Sequence, residues 1–469
     1  MWQKLTIITA CLFYSLIAKA ELNLELPDLN LPNLGSQSRS FTNAAQNTQQ
    51  GLKILRSFRG SNKIIEDPEI NIWIRSLGNR LASNAPGSSS PIYFIVSKDR
   101  SINAFATLGG VIVINAGLIL HTNTESELAA VIAHEIAHLT QRHIERMIAK
   151  AKNNKLATGA AILAGVIASS KDPQAGQAII SATMATMAHK QLSFSREAEA
   201  EADRVGLRIL ARSRFNPIGM PNFLQKLEQF TDNKNARVTE YLRSHPLTLK
   251  RVTDTRVRAK KFGAFRGREN ISYLYMREKV RALVSSNIPT PARVSANIKK
   301  YSKAQKLNQQ RKYKYALQLT GSSSRKPPEA ILIAQLLNRQ RQYKKTIRIL
   351  KPLVNIYPED VALSIPLAQA YIATRQLENA WRLLNEITTS EQTSLEYFEA
   401  FQEISRLTRR TSQAYRAVAN RNIRIGNYKA AMVQLRQAIK LPGATESEII
   451  QMQNELNAVK PYTSSNKNH

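Results

Sequence analysis

The sequence predicts a mostly α-helical chain with one small β-sheet, followed by an α-solenoid of tetratricopeptide-like repeats. Three observations predict it. The pentad His134-Glu135-Ile136-Ala137-His138 lies in an apolar run of helical period, residues 92–115 hold three short β-type runs, and helical hairpins recur from about residue 300. At 469 residues the chain has room for two or three domains, each with its own core.

The elements follow in order. Lys4, an apolar run of about 13 residues and Ala18-Lys19-Ala20 read as a secretory signal cleaved after residue 20. The run is short against the ~20 residues that span a bilayer. Cys11, the single cysteine, lies inside it, so a mature chain would have none, which suits an oxidising compartment. Lipid modification at Cys11 is the lesser alternative, because the apolar core continues past it. Residues 21–50 read as a leader. Residues 51–84 carry a helical period with Ile72, Trp73, Leu77 and Leu81 as core candidates, ended by the Pro/Gly/Ser-rich residues 86–91. Runs 92–96, 104–107 and 111–115 predict a small sheet, with Gly109-Gly110 turning between the last two. Thr124 is the expected N-cap of the next helix, with Glu127 completing a capping box, and that helix carries the pentad. Two apolar stretches, 156–169 and 182–188, read as buried helices too short to cross a membrane.

From about residue 300 the pattern becomes helical hairpins. Arg341-Gln342-Tyr343 recurs as Arg375-Gln376-Leu377, the tetratricopeptide spacing of about 34 residues. Further copies are read at 426–431 and, degenerate, at 312–316, giving about four hairpins. The expected division is a signal at 1–20, a leader at 21–50, a domain carrying the pentad at 51–270, a linker at 271–300, repeats at 301–445 and a terminal helix with a polar tail at 446–469. The net charge is +33, and residues 251–350 hold 25 Lys/Arg against four Asp/Glu. Such a field favours an acidic partner, an anionic membrane surface among them, or else marks a well-solvated basic face. No nucleic acid is expected, because no recognition motif accompanies the charge and the signal argues against it.

The chemistry starts from the pentad. Histidines four apart share one helix face and can reach one metal ion, while Glu135 beside them can take a proton from an attacking water. With seven histidines in the whole chain, that pattern points to a metallopeptidase. A third ligand is required. Gln141 and Ile144 stand where a metzincin would need glycine and histidine, which excludes that class. His143, five positions after His138, reads as a surface residue. The acidic run after Ser195 is the better source: Glu199 and Asp203 share a face one turn apart. Spacing leaves Glu197, Glu199 and Glu201 open, as it does a plain acidic face paired with Arg196, Arg204 and Arg208.

In combination, residues 103–119 (NAFATLGGVIVINAGLI), HEIAH, SREAEAEAD and Ser244-His245-Pro246 resemble the gluzincin peptidases related to the CAAX prenyl protease and the heat-shock membrane protease. The resemblance implies a zincin-type metalloprotease fold holding one Zn2+ per chain, with His134, His138 and Glu199 as ligands and Glu135 as catalytic base. It implies that Asp203 braces a ligating histidine and that His245 is a fourth, regulatory ligand. It also implies a substrate-pairing edge strand at Gly109, Gly110, Val111, Ile112 and Val113. The signal and repeats narrow the resemblance to periplasmic members. These imply a zinc endopeptidase, latent at rest, acting on unfolded or stalled outer-membrane β-barrel proteins and docking through its repeats on the outer-membrane assembly machinery. A chaperone or scaffold working through the repeats with little proteolysis is the alternative.

Overall fold

The computed structural model describes residues 44–87, 91–147, 195–232, 239–265 and, with short gaps, 267–463. The expected signal, most of the leader and the apolar stretches 156–169 and 182–188 lie outside the described residues.

The helical segment expected over 51–84 is two helices, Ala44–Gly60 and Pro68–Ala82. Pro68 forces the break, since it lacks an N–H and pushes Asp67 into an extended conformation. Asp67 then caps the second helix, its Oδ1 accepting from the Glu69 and Ile70 N–H groups at 3.1 Å. Between the two helices Ile64 bridges to Ser97 at the edge of the sheet.

Three strands form as expected: β1 (Tyr93–Ser97), β2 (Ala104–Ala106) and β3 (Val111–Asn115). Their order is β1-β3-β2, with β3 parallel to β1 and antiparallel to β2. This corrects the edge-strand expectation. Val111, Ile112 and Val113 lie in the central strand, fully buried and paired on both sides, so they have no open edge. Gly109 and Gly110 are in the preceding turn with φ of 80° and 84°, and a Cβ on Gly109 would come within 2.2 Å of the Gly51 nitrogen. The outer strand on the active-site side is β2.

The helix Glu125–Thr140 bears the pentad and is buried on every side from Glu125 to His138. Thr124 caps it, accepting from Glu127 N–H at 3.1 Å, but the capping box does not close. The Glu127 carboxylate accepts instead from Asn123 N–H and from Lys226, both at 2.7 Å. Across this helix packs Arg196–Arg212, capped by Ser195. Small residues permit the approach: a Cβ on Gly206 would stand 3.2 Å from the His134 nitrogen.

The expected linker contains a buried helix, Ile271–Leu283. Tyr273 Oη and Arg277 Nη1 donate to Thr122 O at 2.7 and 3.0 Å, while Lys279 bridges Asp67 and Glu69 at 2.8 and 2.7 Å. Beyond it come the helices Ala296–Gln309, Tyr313–Thr320, Pro327–Arg339, Tyr343–Ile356, Val361–Ala373, Leu377–Asn385, Leu395–Leu407, Thr411–Arg424, Tyr428–Lys440 and Glu446–Val459. Arg311, Arg341, Arg375 and Arg409 close successive turns in the left-handed region, with φ of 60–63°. The turn at Arg409 escaped the periodicity because Thr411 stands where the other copies have tyrosine or leucine. Among the described residues no helix is long and apolar enough to cross a membrane. Arg56 and Arg59 tie the first helix to the hairpins, through Glu391 Oε1 at 2.8 Å and Glu391 O at 2.8 Å.

Burial pushes the Glu69 carboxyl up to about 7 despite Lys279. A carboxyl raised in the fold contributes stability that is complete below its unfolded pKa of about 4.5 and is lost as pH rises through about 7. Wild type is therefore expected to lose stability to urea as pH rises from about 4.5 through about 7. Glu69→Gln should flatten that loss, leaving Asp67 to hold Lys279; equal slopes in the two proteins would contradict it.

Candidate metal centre

The helix Glu125–Thr140 presents His134 and His138 from one face, Arg196–Arg212 supplies Glu199, and the segment after the short helix Thr239–Ser244 supplies His245. All four are at most 3% exposed, and their donor atoms lie within 4.8 Å of one another. His134 Nε2 is 3.0 Å from His138 Nε2 and 3.3 Å from His245 Nδ1. Glu199 Oε1 is 3.0 Å from His245 Nδ1 and 3.4 Å from His138 Nε2, and its Oε2 is 3.4 Å from His134 Nε2. These separations match a tetrahedral ion with bonds of about 2.0–2.1 Å, whose donors stand about 3.3 Å apart.

The far sides of both histidines are also engaged. His134 Nδ1 donates to Asp203 Oδ1 at 3.0 Å, which leaves the Nε2 lone pair toward the cluster. His138 Nδ1 is 2.8 Å from His143 Nδ1, and His143 Nε2 is 3.0 Å from Glu201 Oε2. Two imidazole nitrogens 3.0 Å apart need a proton or a metal ion between them, and with Glu199 and a third imidazole facing the same point the donor set fits a metal. His143 is thus a correction: it is 2% exposed, because the turn at Arg142 (φ 56°) brings it back under His138.

The electrostatics agree with a cation site. Burial works against ionised Glu199, yet the imidazoles of His245, His134 and His138 hold it well below the usual carboxylate range. Burial would also lower His134, but its hydrogen bonds with Asp203 and Glu199 raise it to about 10, so a second proton on Nε2 takes the place of the ion's charge and a metal has to displace it. Burial takes His138 well below its ordinary value and His143 down to about 4. Asp203 is likewise kept low against its burial, by Arg251, which grips it at 2.8 and 2.9 Å. Arg251 also reaches Glu199 Oε2 at 2.6 Å and donates to Pro246 O at 3.0 Å, so one guanidinium joins the acidic helix to the His245 segment. The Tyr241 ring stacks on His245 with centroids 4.7 Å apart.

Glu135 points to the other side of the cluster. Its Oε2 accepts from Ala106 N–H of β2 at 3.1 Å, and its Oε1 has His245 Nε2 at 3.5 Å. Burial raises its pKa. In the β2 and β3 register, Asn103 and Thr107 bond to β3, so Ala104 and Ala106 turn their main-chain groups outward, toward Glu135.

Of the residues singled out from sequence, the structure brings His134, Glu135, His138, Glu199, Asp203 and His245 together and leaves 109–113 behind the edge. Glu197 is exposed and away from the cluster, and Glu201 engages His143 and Arg146 instead. Spacing gave no sign of the roles of Ala106, His143 and Glu201. The available signals were a histidine five residues beyond the pentad and an acidic run after Ser195 with more carboxylates than one metal needs.

A buried His-Glu-His pentad beside an outer strand, with a carboxylate from a second helix among its imidazoles, defines a metallopeptidase of the zincin type. The model for peptidase family M48 matches residues 68–259, which include every residue of the cluster. A β-barrel assembly-enhancing protease of Yersinia pestis is 32% identical over 373 residues, 76% of each chain. The Escherichia coli K12 protein of that name is 38% identical over 229 residues, 49% of this chain and 47% of its own. The mitochondrial metalloendopeptidase OMA1 of Arabidopsis thaliana is 32% identical over 157 residues, 34% of this chain and 29% of its own. The chain belongs to peptidase family M48.

Proposed function

We propose that this protein is a zinc endopeptidase of the periplasm that acts in quality control of outer-membrane β-barrel proteins and is latent at rest. The observation that carries the reading is the buried cluster of His134, His138, Glu199 and His245 with Glu135 alongside. His134, His138 and Glu199 would hold the zinc. When bound, the ion supplies a Lewis acid that polarises the scissile carbonyl and acidifies water. Glu135 takes the proton of the attacking water and returns one to the leaving amine; its raised pKa brings the carboxyl toward the range in which it can do both.

Substrate enters as an extended segment along β2, not along β3. The outward main-chain groups of Ala104 and the carbonyl of Ala106, whose N–H Glu135 holds, would pair with an unfolded strand without regard to side chain, which suits an unassembled β-barrel protein. The Yersinia and E. coli relatives are named for enhancing β-barrel assembly, which supports the choice of substrate. The helical hairpins beyond residue 300 would dock on the assembly machinery or its clients, and their basic side chains suit an anionic surface.

Latency follows from the fourth donor. With His245 in place no position is open to water, and the 244–246 segment has to withdraw before cleavage. The test uses zinc-edge absorption and a cleavage assay on an unfolded outer-membrane protein. Wild type is expected to show four protein donors, and His245→Ala three with a rate about tenfold higher, the gain if a tenth of resting molecules are open. Chelator should abolish both activities and zinc restore them. Three protein donors in both proteins would remove the latch, and activity that survives full zinc removal would remove the mechanism.

A further inference from the structure

We propose that Glu201 and His143 are positioning residues that set the tautomer of His138, a relay built on the metal-centre reading above. Glu201 Oε2 accepts from Arg146 Nη2 at 2.8 Å and stands 3.0 Å from His143 Nε2. A carboxylate paired with arginine is ionised and only accepts, so the proton of the second contact sits on His143 Nε2. In the neutral ring that leaves His143 Nδ1 bare. The 2.8 Å contact between His143 Nδ1 and His138 Nδ1 needs one proton, and His138 must supply it. With its hydrogen on Nδ1, His138 turns the Nε2 lone pair into the cluster, where a metal requires it.

His134 reaches the same state more directly, through Asp203 at 3.0 Å. Glu201 and Asp203 lie two positions apart on the helix Arg196–Arg212, which also carries Glu199. One helix therefore contributes a donor and sets the protons of both histidines on the facing helix. His143 is what lets it reach the Nδ1 side of His138, since on that side a carboxylate of this helix touches a ring directly only at His134.

The test uses the full-length protein with zinc alone as probe. Glu201→Gln is the informative variant: its amide can donate or accept, so His143 can flip and leave His138 with its hydrogen on Nε2, unable to bind. Zinc affinity, measured by chelator competition, is expected to fall about 10–100-fold. The thermal midpoint of the metal-free protein should stay unchanged, and 15N spectra should show a new population of His138 protonated at Nε2. His143→Ala should lose affinity, and His143→Gln should recover most of the loss, because its carbonyl can accept from His138 while its amide donates to Glu201. Unchanged affinity in both Glu201→Gln and His143→Ala, or a loss that His143→Gln fails to recover, would overturn the relay alone. Failure of wild type to bind zinc would overturn the metal centre and the relay with it.

Discussion

Glu135→Gln is expected to retain zinc and to lose about 10²–10⁴-fold in kcat/KM, the share a positioned proton carrier contributes. Glu135 is 1% exposed and lies outside the donor set, so the substitution keeps the shape and the hydrogen bond from Ala106 N–H while removing the site's means of carrying a proton. Stability should hold or rise slightly, because the change removes a buried charge. Zinc content, thermal midpoint and cleavage of an unfolded outer-membrane protein are measured on one preparation. Normal cleavage by a zinc-loaded variant would sink the assignment of Glu135. The same variant separates peptidase from scaffold in cells. If proteolysis matters, it fails to complement; if the hairpins suffice, it complements and a chain ending at residue 300 does not.

Arg251→Ala is expected to be the most damaging substitution outside the donor set. Its guanidinium holds Asp203 at two contacts of 2.8 and 2.9 Å and Glu199 at 2.6 Å, and both carboxylates are buried. Removing it strands two charges away from water, a cost of about 3–5 kcal/mol, or a fall in melting temperature on the order of 10 °C. Arg251→Lys should lose less, keeping the charge but not the fork. Zinc neutralises part of the stranded charge, so the fall should be larger in metal-free than in zinc-loaded protein. Scanning calorimetry with and without chelator reads both, and equal midpoints for wild type and Arg251→Ala would refute the argument.

Much of the active-site helix could be read directly. Histidines at 134 and 138 share a face because a helix repeats every 3.6 residues, and Glu199 and Asp203 share one for the same reason. Thr124 and Asp67 cap their helices because their side-chain oxygens satisfy main-chain N–H groups next to them in sequence. The strands were legible too, each a short run of β-type residues. Their order was not. Val111, Ile112 and Val113 look like strand residues wherever they stand, and pairing on both sides is what makes β3 central and leaves β2 beside Glu135. The helix in the supposed linker was hidden because buried Arg277, Glu278 and Lys279 read as a solvated face until Asp67, Glu69 and Thr122 meet them.

By itself, then, the sequence determined the local geometry: which residues share a helix face, where helices begin, and hence that this chain carries a metallopeptidase motif with a carboxylate on a second helix. Only the tertiary structure decided which carboxylate meets the histidines, that His143 lies beneath His138, and which strand stands outermost beside Glu135. These are contacts between segments far apart in the chain, such as His143 with Glu201 and His245 with Glu199, and helical or strand periodicity relates only neighbours along it.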